Sequence, residues 1–242
     1  MDERTPFSQP LLFKWRHFQP ELIVMCVRWY LRYPLSYRQV EELVAERGLP
    51  VDHTTIYRWV QDYAPELDKG CRAHLRPTND SWKADETHIK VKGRWCYLYR
   101  AVDSEGNTLD FLLTAKRDAK AAKRFFRKAL KAKHNRTPRV INVDKNPAYP
   151  KAMDDLKAEE FLPENCALRQ VKYLKNLVEQ DHRSIKRLTR PGLGFQGLRT
   201  AWRTIRGYEA MNMIRKGQIK NVEQGAIQSQ VKFIESLFGL AA

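Results

Sequence analysis

The chain has 242 residues, 43% hydrophobic and 11% aromatic, which is enough for one good-sized core plus a smaller module and excludes a wholly disordered chain. Its 44 Lys and Arg against 28 Asp and Glu leave a net charge of +16, a surplus that repels itself in a compact fold and points to a polyanionic partner, nucleic acid first. An anionic membrane surface is the weaker alternative: no lipidation motif, basic amphipathic anchor, signal-peptide core or long apolar run is evident, so the expected location is the cytosol, on DNA when working.

Residues 1–19 mix two prolines with charges and aromatics and read as an arm that orders on docking. Pro20 opens a helix with an apolar stripe of Leu22, Ile23, Met25, Cys26, Trp29 and Tyr30, and Pro34 ends it. Ser36 and Gln39 stand at capping-box positions ahead of a stripe of Val40, Leu43 and Val44; Gly48 and Pro50 close that helix. Asp52 caps a further helix over 53–63 with Ile56, Trp59 and Val60 facing inward. Two short helices across a Gly-containing turn make a helix-turn-helix. The outward side of its second helix offers His53, Thr54, Thr55, Arg58 and Gln61, side chains suited to phosphates and base edges. A small helical bundle with a polar face fits the same pattern, and the charge surplus favours DNA binding.

From about residue 81 the pattern changes from helix to strand. Strands are predicted over 82–92, 95–102 and 109–114, a helix capped by Asp118 to about 133, a strand over 139–143, a helix over 147–156, a strand over 168–171 and a helix over 174–189. The order β-β-β-α-β-α-β-α predicts an α/β, RNase H-like mixed sheet covered by helices, preceded by an all-α helix-turn-helix domain. Residues 191–197 form a Gly-rich connector without the ending of a phosphate-binding loop. Helices striped by Leu198, Trp202, Ile205, Tyr208 and Met211, and over 222–238, follow. The expected division is arm 1–19, DNA-binding domain 20–66, linker 67–79, catalytic core 80–190 and C-terminal helical extension 191–242.

Three acids carry the chemistry. Asp85 lies mid-way along the first strand, Asp144 directly follows the fourth, and Glu179 lies early in the late helix. In this topology those elements are neighbours, so the three carboxylates converge at one sheet edge. Carboxylates in contact stay ionised only with cations between them, and oxygen-only ligands select hard ions such as Mg²⁺ or Mn²⁺. Two such ions about 3.5–4 Å apart suit in-line phosphoryl displacement. Asp85 stands beside Glu86; strict alternation admits only one to the site, and Asp85 is chosen. Asp144 alone could be a helix cap, and Glu179 alone a surface charge. His182, Arg183, Lys186 and Arg187 share the face of Glu179 and are assigned to DNA phosphates; charge compensation of the helix end is the alternative. The four cysteines, with no Cys-x-x-Cys pair, read as reduced thiols, with Cys96 buried. Trp82, Trp95 and Trp202 are assigned to the core.

The segments WKADETHIKV from Trp82, YLYRAVD from Tyr97, INVDK from Ile141 and VKYLKNLVEQDHR from Val171 resemble the DDE transposases of the insertion-sequence-six family. The 34 residues between Asp144 and Glu179, Lys186 seven residues beyond, Gly194-Phe195 and the IRGYE segment from Ile205 fit that family too. The resemblance, which is what chiefly places Glu179, runs from about residue 20 to 218. It implies binding to short terminal inverted repeats, strand transfer and cointegrate formation, by a homodimer or higher oligomer. Lys175-Asn176 stands where the family usually has Asn-Asn, and Leu168 where a His is common. A non-catalytic helix-turn-helix regulator and an RNase H-like nuclease without strand transfer are the rival functions.

Overall fold

The structure, a computed structural model, describes residues 11–14, 17–171, 177–192 and 194–240. The expected arm falls mostly outside these residues, as do Lys175 and Asn176. After a 3-10 turn at Leu11–Phe13 come three helices, α1 (Pro20–Arg32), α2 (Tyr37–Ala45) and α3 (His53–Arg72). Strands β1 (Ser81–Val91), β2 (Arg94–Asp103) and β3 (Thr108–Thr114) follow, then α4 (Ala119–Lys131), β4 (Val140–Val143), α5 (Ala148–Ala158) and β5 (Ala167–Gln170). Helices α6 (Leu177–Thr189), α7 (Leu198–Arg215) and α8 (Ile227–Leu237) complete the described chain.

Local chemistry sets many of these boundaries. Ser36 Oγ accepts from the Gln39 backbone N–H, and the Gln39 side chain accepts from the Ser36 N–H, closing the expected capping box. Asp52 caps α3 through the N–H groups of Thr54 and Thr55, and Asp118 caps α4 through that of Ala121. The expected end of α3 at residue 63 is corrected: the helix continues past Pro65 to Arg72, into the stretch read as a linker. A proline there removes one backbone hydrogen bond. Burial of Leu67, Asp68 and Cys71 offsets that loss, and Arg206 of α7 donates to both Asp68 and the Pro65 carbonyl.

The sheet order is β3-β2-β1-β4-β5, with β1–β2 and β2–β3 antiparallel and β1–β4 and β4–β5 parallel. That is the RNase H-like arrangement the element order predicts. One face, carrying Trp82, Ala84, Tyr99 and Ala101, packs on α4 and α5 through Phe125, Phe126, Tyr149 and Met153. The other, carrying Ile89, Leu98 and Phe111, shares a single core with α1–α3, α7 and α8. At Gly207 the helices meet so closely that an added Cβ would lie 2.7 Å from Ala64 Cβ and from Leu31. Glycine there lets α7 sit against α1 and α3. All four cysteines are free and buried.

Candidate active site

The parallel pairing of β1 with β4 runs from Ser81 opposite Val140 to Lys83 opposite Asn142. Extending that register sets Asp144 beside Asp85, just past the end of β4 at Val143. Among the described residues no strand pairs with β1 there, so this edge of the sheet is open. Carboxylate oxygens of Asp85, Glu86 and Asp144 all lie within 4.8 Å of one another. The expectation that alternation keeps Glu86 out of the group is therefore corrected: the two side chains leave opposite faces of β1, but no neighbouring strand separates them at the open edge.

The three acids are held differently. The Glu86 carboxylate is 1% exposed and takes hydrogen bonds from Arg117 Nε, the Tyr149 hydroxyl and Asn146 Nδ2. Burial first, and then the Glu86 charge, push the Tyr149 hydroxyl well above its ordinary pKa, so it remains a neutral donor. Asp144 accepts from Arg117 Nη2 at 3.2 Å and from the Asn146 N–H at 2.9 Å, and its side chain is 36% exposed. Asp85 accepts from the Glu86 N–H at 2.8 Å and is 31% exposed. Glu86 is thus committed to protein donors, while Asp85 and Asp144 keep oxygens open to solvent. Among the described residues, three carboxylates face one permanent cation, Arg117. The group is left two charges negative, which suits a hard divalent cation.

Helix α6 packs on β1 and β2 beside this edge. Val178, Ile185 and Leu188 enter the core as expected. Glu179 is exposed in the first turn of α6 and, among the described residues, is not one of the clustered carboxylates. Arg183, Lys186 and Arg187 are exposed, as phosphate contacts need to be. The expectation that His182 faces DNA with them is corrected. It is buried, with Nε2 3.5 Å from Asp85 Oδ2, and neither ring nitrogen has a hydrogen-bond partner among the described residues. The buried arc of α6 is wider than the apolar stripe, because Asp181 is buried too.

Asp181 belongs to a network that the sequence reading missed. Arg100, paired across the strands with Asp85, is fully buried and donates to Glu209 at 2.6 and 2.9 Å. It also pairs with Asp181 at 2.5 Å, and Lys216 and Asn212 bind the same carboxylate. Burial alone would raise the Asp181 carboxyl, but the charges of Arg100 and Lys216 outweigh it and hold it down to about 2. The network locks α6 to β2 and α7 directly behind Asp85. An arginine inside an apolar strand was the available signal, since a buried guanidinium requires acids.

A family model described as "DDE domain" matches residues 79–218. The chain is 39% identical over 212 residues to the transposase for the insertion sequence-like element IS431mec of Staphylococcus aureus, covering 87% of this chain and 92% of that protein. It matches equally the Staphylococcus aureus transposase for insertion sequence element IS257 in transposon Tn4003. The chain belongs to the insertion-sequence-six family of DDE transposases. It is a metal-dependent polynucleotidyl transferase. Among solved structures, the transposase is similar to the HTLV-2 integrase catalytic core domain in complex with magnesium, at 19% identity and a TM-score of 0.43, over 65% of this chain and 98% of that one.

On the N-terminal helices of the transposase, Arg58 and Thr54 are exposed on α3, while His53 and Thr55 are half-buried. The hydroxyls of Thr54 and Thr55 donate to Asp52, and His53 Nδ1 lies 3.0 Å from Glu41. Gln61 is corrected: it is buried and donates to Thr204 Oγ1 at 2.9 Å, because the arrival of α7 covers that side of α3. Trp82 is buried and Trp202 packs on Phe111 as expected. Trp95, expected in the core, is 61% exposed.

Proposed function

We propose that this transposase binds the terminal inverted repeats of its element, cleaves to expose 3′-hydroxyl ends and transfers those ends to target DNA. The observation that carries this reading is the under-compensated carboxylate group at the open edge of β1 and β4. In the proposed site Asp85 and Asp144 hold the metal ions, and Glu179 joins them from α6 when DNA is engaged. Two Mg²⁺ or Mn²⁺ ions held there would supply Lewis-acid activation of the attacking oxygen and stabilise the leaving one.

The protein's own part is positional. Arg117, Tyr149 and Asn146 fix Glu86, and Arg117 also steadies Asp144. The exposed cations Arg183, Lys186 and Arg187 hold the DNA backbone along α6. In the first step a water oxygen bonds to phosphorus and the P–O3′ bond breaks, leaving a free 3′-hydroxyl. In the second, that hydroxyl oxygen bonds to a target phosphorus, and the target's 3′-oxygen leaves with a proton. No covalent enzyme intermediate is needed, and the branched joint formed becomes a cointegrate once host DNA synthesis copies the element.

Helix α3 presents His53, Thr54, Thr55 and Arg58 to the repeat. Residues 20–66 are the DNA-binding part, 80–190 the catalytic core and 191–242 the extension that joins them. A homodimer or higher oligomer, working in the cytoplasm, brings two ends together. The test is strand transfer with terminal-repeat DNA and Mg²⁺, comparing wild type with Asp85→Asn, Asp144→Asn and Glu179→Gln. Joining is expected in wild type and lost in each variant. Variants that join as well as wild type overturn the triad, and cleavage without joining identifies a nuclease instead. Loss of repeat binding in a Thr55→Ala, Arg58→Ala variant is expected, and unchanged affinity contradicts the recognition helix.

A further inference from the structure

Beyond the carboxylate group, β1 runs along a cleft of about 310 Å³ formed with the end of α6 and the connector around Phe195. Its lining includes Trp95, His88, Phe195 and the cations Lys90, Lys186 and Arg190; among the described residues no carboxylate lines it. We propose that this cleft is a pocket for an unpaired nucleobase of the DNA strand held at the active site, with the base stacked on Trp95 and the flanking phosphates on Lys90, Lys186 and Arg190. The proposal rests on the transposase reading above and adds a second contact to it.

Three observations carry it. First, Trp95 is 61% exposed in a strand, beside His88 at 6.1 Å, which in turn lies 5.1 Å from Tyr97. The helices that cover this sheet face elsewhere do not reach its end, so the indole is left with an open side. Every base has a π-face, so an exposed indole flanked by cations binds single strands with little regard to sequence. Within a duplex the faces are covered by stacked neighbours on both sides, which favours an unpaired base.

Second, the cleft is built by the backbone. Phe195 N–H donates to the Lys90 carbonyl at 3.0 Å, and Lys92 N–H donates to the Phe195 carbonyl at 2.7 Å. Gly194 has φ +99, and an added Cβ would sit 2.9 Å from the Lys90 carbonyl oxygen. Only glycine lets the connector approach β1 this closely. This wall therefore stands before any ligand arrives.

Third, the location fits. His88 to Lys90 follow Asp85 by three to five residues on the same strand, about 10–17 Å at the usual strand rise. A DNA strand spans that distance in roughly three to five nucleotides. The exposed cations Lys186 and Arg190 also continue the basic face of α6 toward the cleft.

Fluorescence anisotropy with two labelled probes tests the pocket: a blunt DNA duplex and the same duplex with a short unpaired 3′ tail. Wild type is expected to bind the tailed probe more tightly. Trp95→Ala is expected to lose about tenfold of that affinity, with blunt-duplex binding unchanged, and Trp95→Phe to recover most of the loss. Trp95→Ala binding the tailed probe like wild type, or losing affinity equally for both probes, overturns the pocket and leaves the transposase reading standing. Failure of wild type to bind either probe overturns both.

Discussion

Two carboxylate clusters lie beside each other on this sheet, joined by the pairing of Asp85 with Arg100. In one, Asp181 and Glu209 are matched by Arg100 and Lys216, and all but Lys216 are almost wholly buried. In the other, Asp85, Glu86 and Asp144 face one permanent cation, Arg117, among the described residues, and two of the three carboxylates are about one-third exposed. The balanced cluster has no need of a ligand, and its charges fix one helix against a strand. The unbalanced cluster keeps negative charge where solvent and DNA can reach it. Charge balance, rather than the presence of acids, separates scaffold from site.

Breaking the balanced cluster should have the largest effect. Arg100→Met leaves two buried carboxylates short of a cation and is expected to destabilise the fold by about 3–5 kcal/mol, read from urea unfolding. Little or no loss would mean the cluster is not structural. Asp85→Asn or Asp144→Asn should do the opposite. Strand transfer should fall by about 10²–10³-fold, while the melting temperature holds or rises as like-charge repulsion is relieved. A drop in melting temperature with activity retained would reverse the assignment of the two clusters. Glu86→Gln sharpens the comparison, since Glu86 is committed to protein donors. A loss of about 10–100-fold in transfer rate, with a raised Mg²⁺ requirement, is expected, and a loss as deep as that of Asp85→Asn would make Glu86 a direct ligand.

The smallest effect concerns pH. The Asp181 carboxyl sits at about 2 in the fold, below about 3.9 in the unfolded chain. A depressed carboxyl stabilises the fold fully above its unfolded value, and that contribution is lost as pH falls through the folded one. The urea midpoint of wild type should therefore decline between about pH 4 and pH 2 more steeply than that of Asp181→Asn. Equal slopes would show that the Arg100 and Lys216 charges do not hold it.

Local features were legible in the sequence. Ser36, Asp52 and Asp118 cap their helices because capping depends on residues a few positions apart. Asp144 was placed at the end of β4 by the strand pattern over 139–143, whereas Glu179 was placed chiefly by the family spacing. What escaped depends on contacts between distant segments. Gln61 turns inward because α7 arrives beside α3. Trp95 is exposed because α4 and α5 stop short of its strand end, which alternation cannot reveal. Glu86 reaches the acidic group because β4 ends at Val143. His182 and Asp181 widen the buried face of α6 because Arg100 waits behind it.

Isothermal titration of Mn²⁺ into the wild-type chain and into an Asp85→Asn, Asp144→Asn double variant tests the central claim most directly. The under-compensated cluster predicts saturable Mn²⁺ binding in wild type that disappears in the variant, with both chains equally folded by circular dichroism. Equal Mn²⁺ uptake by the two chains would contradict it.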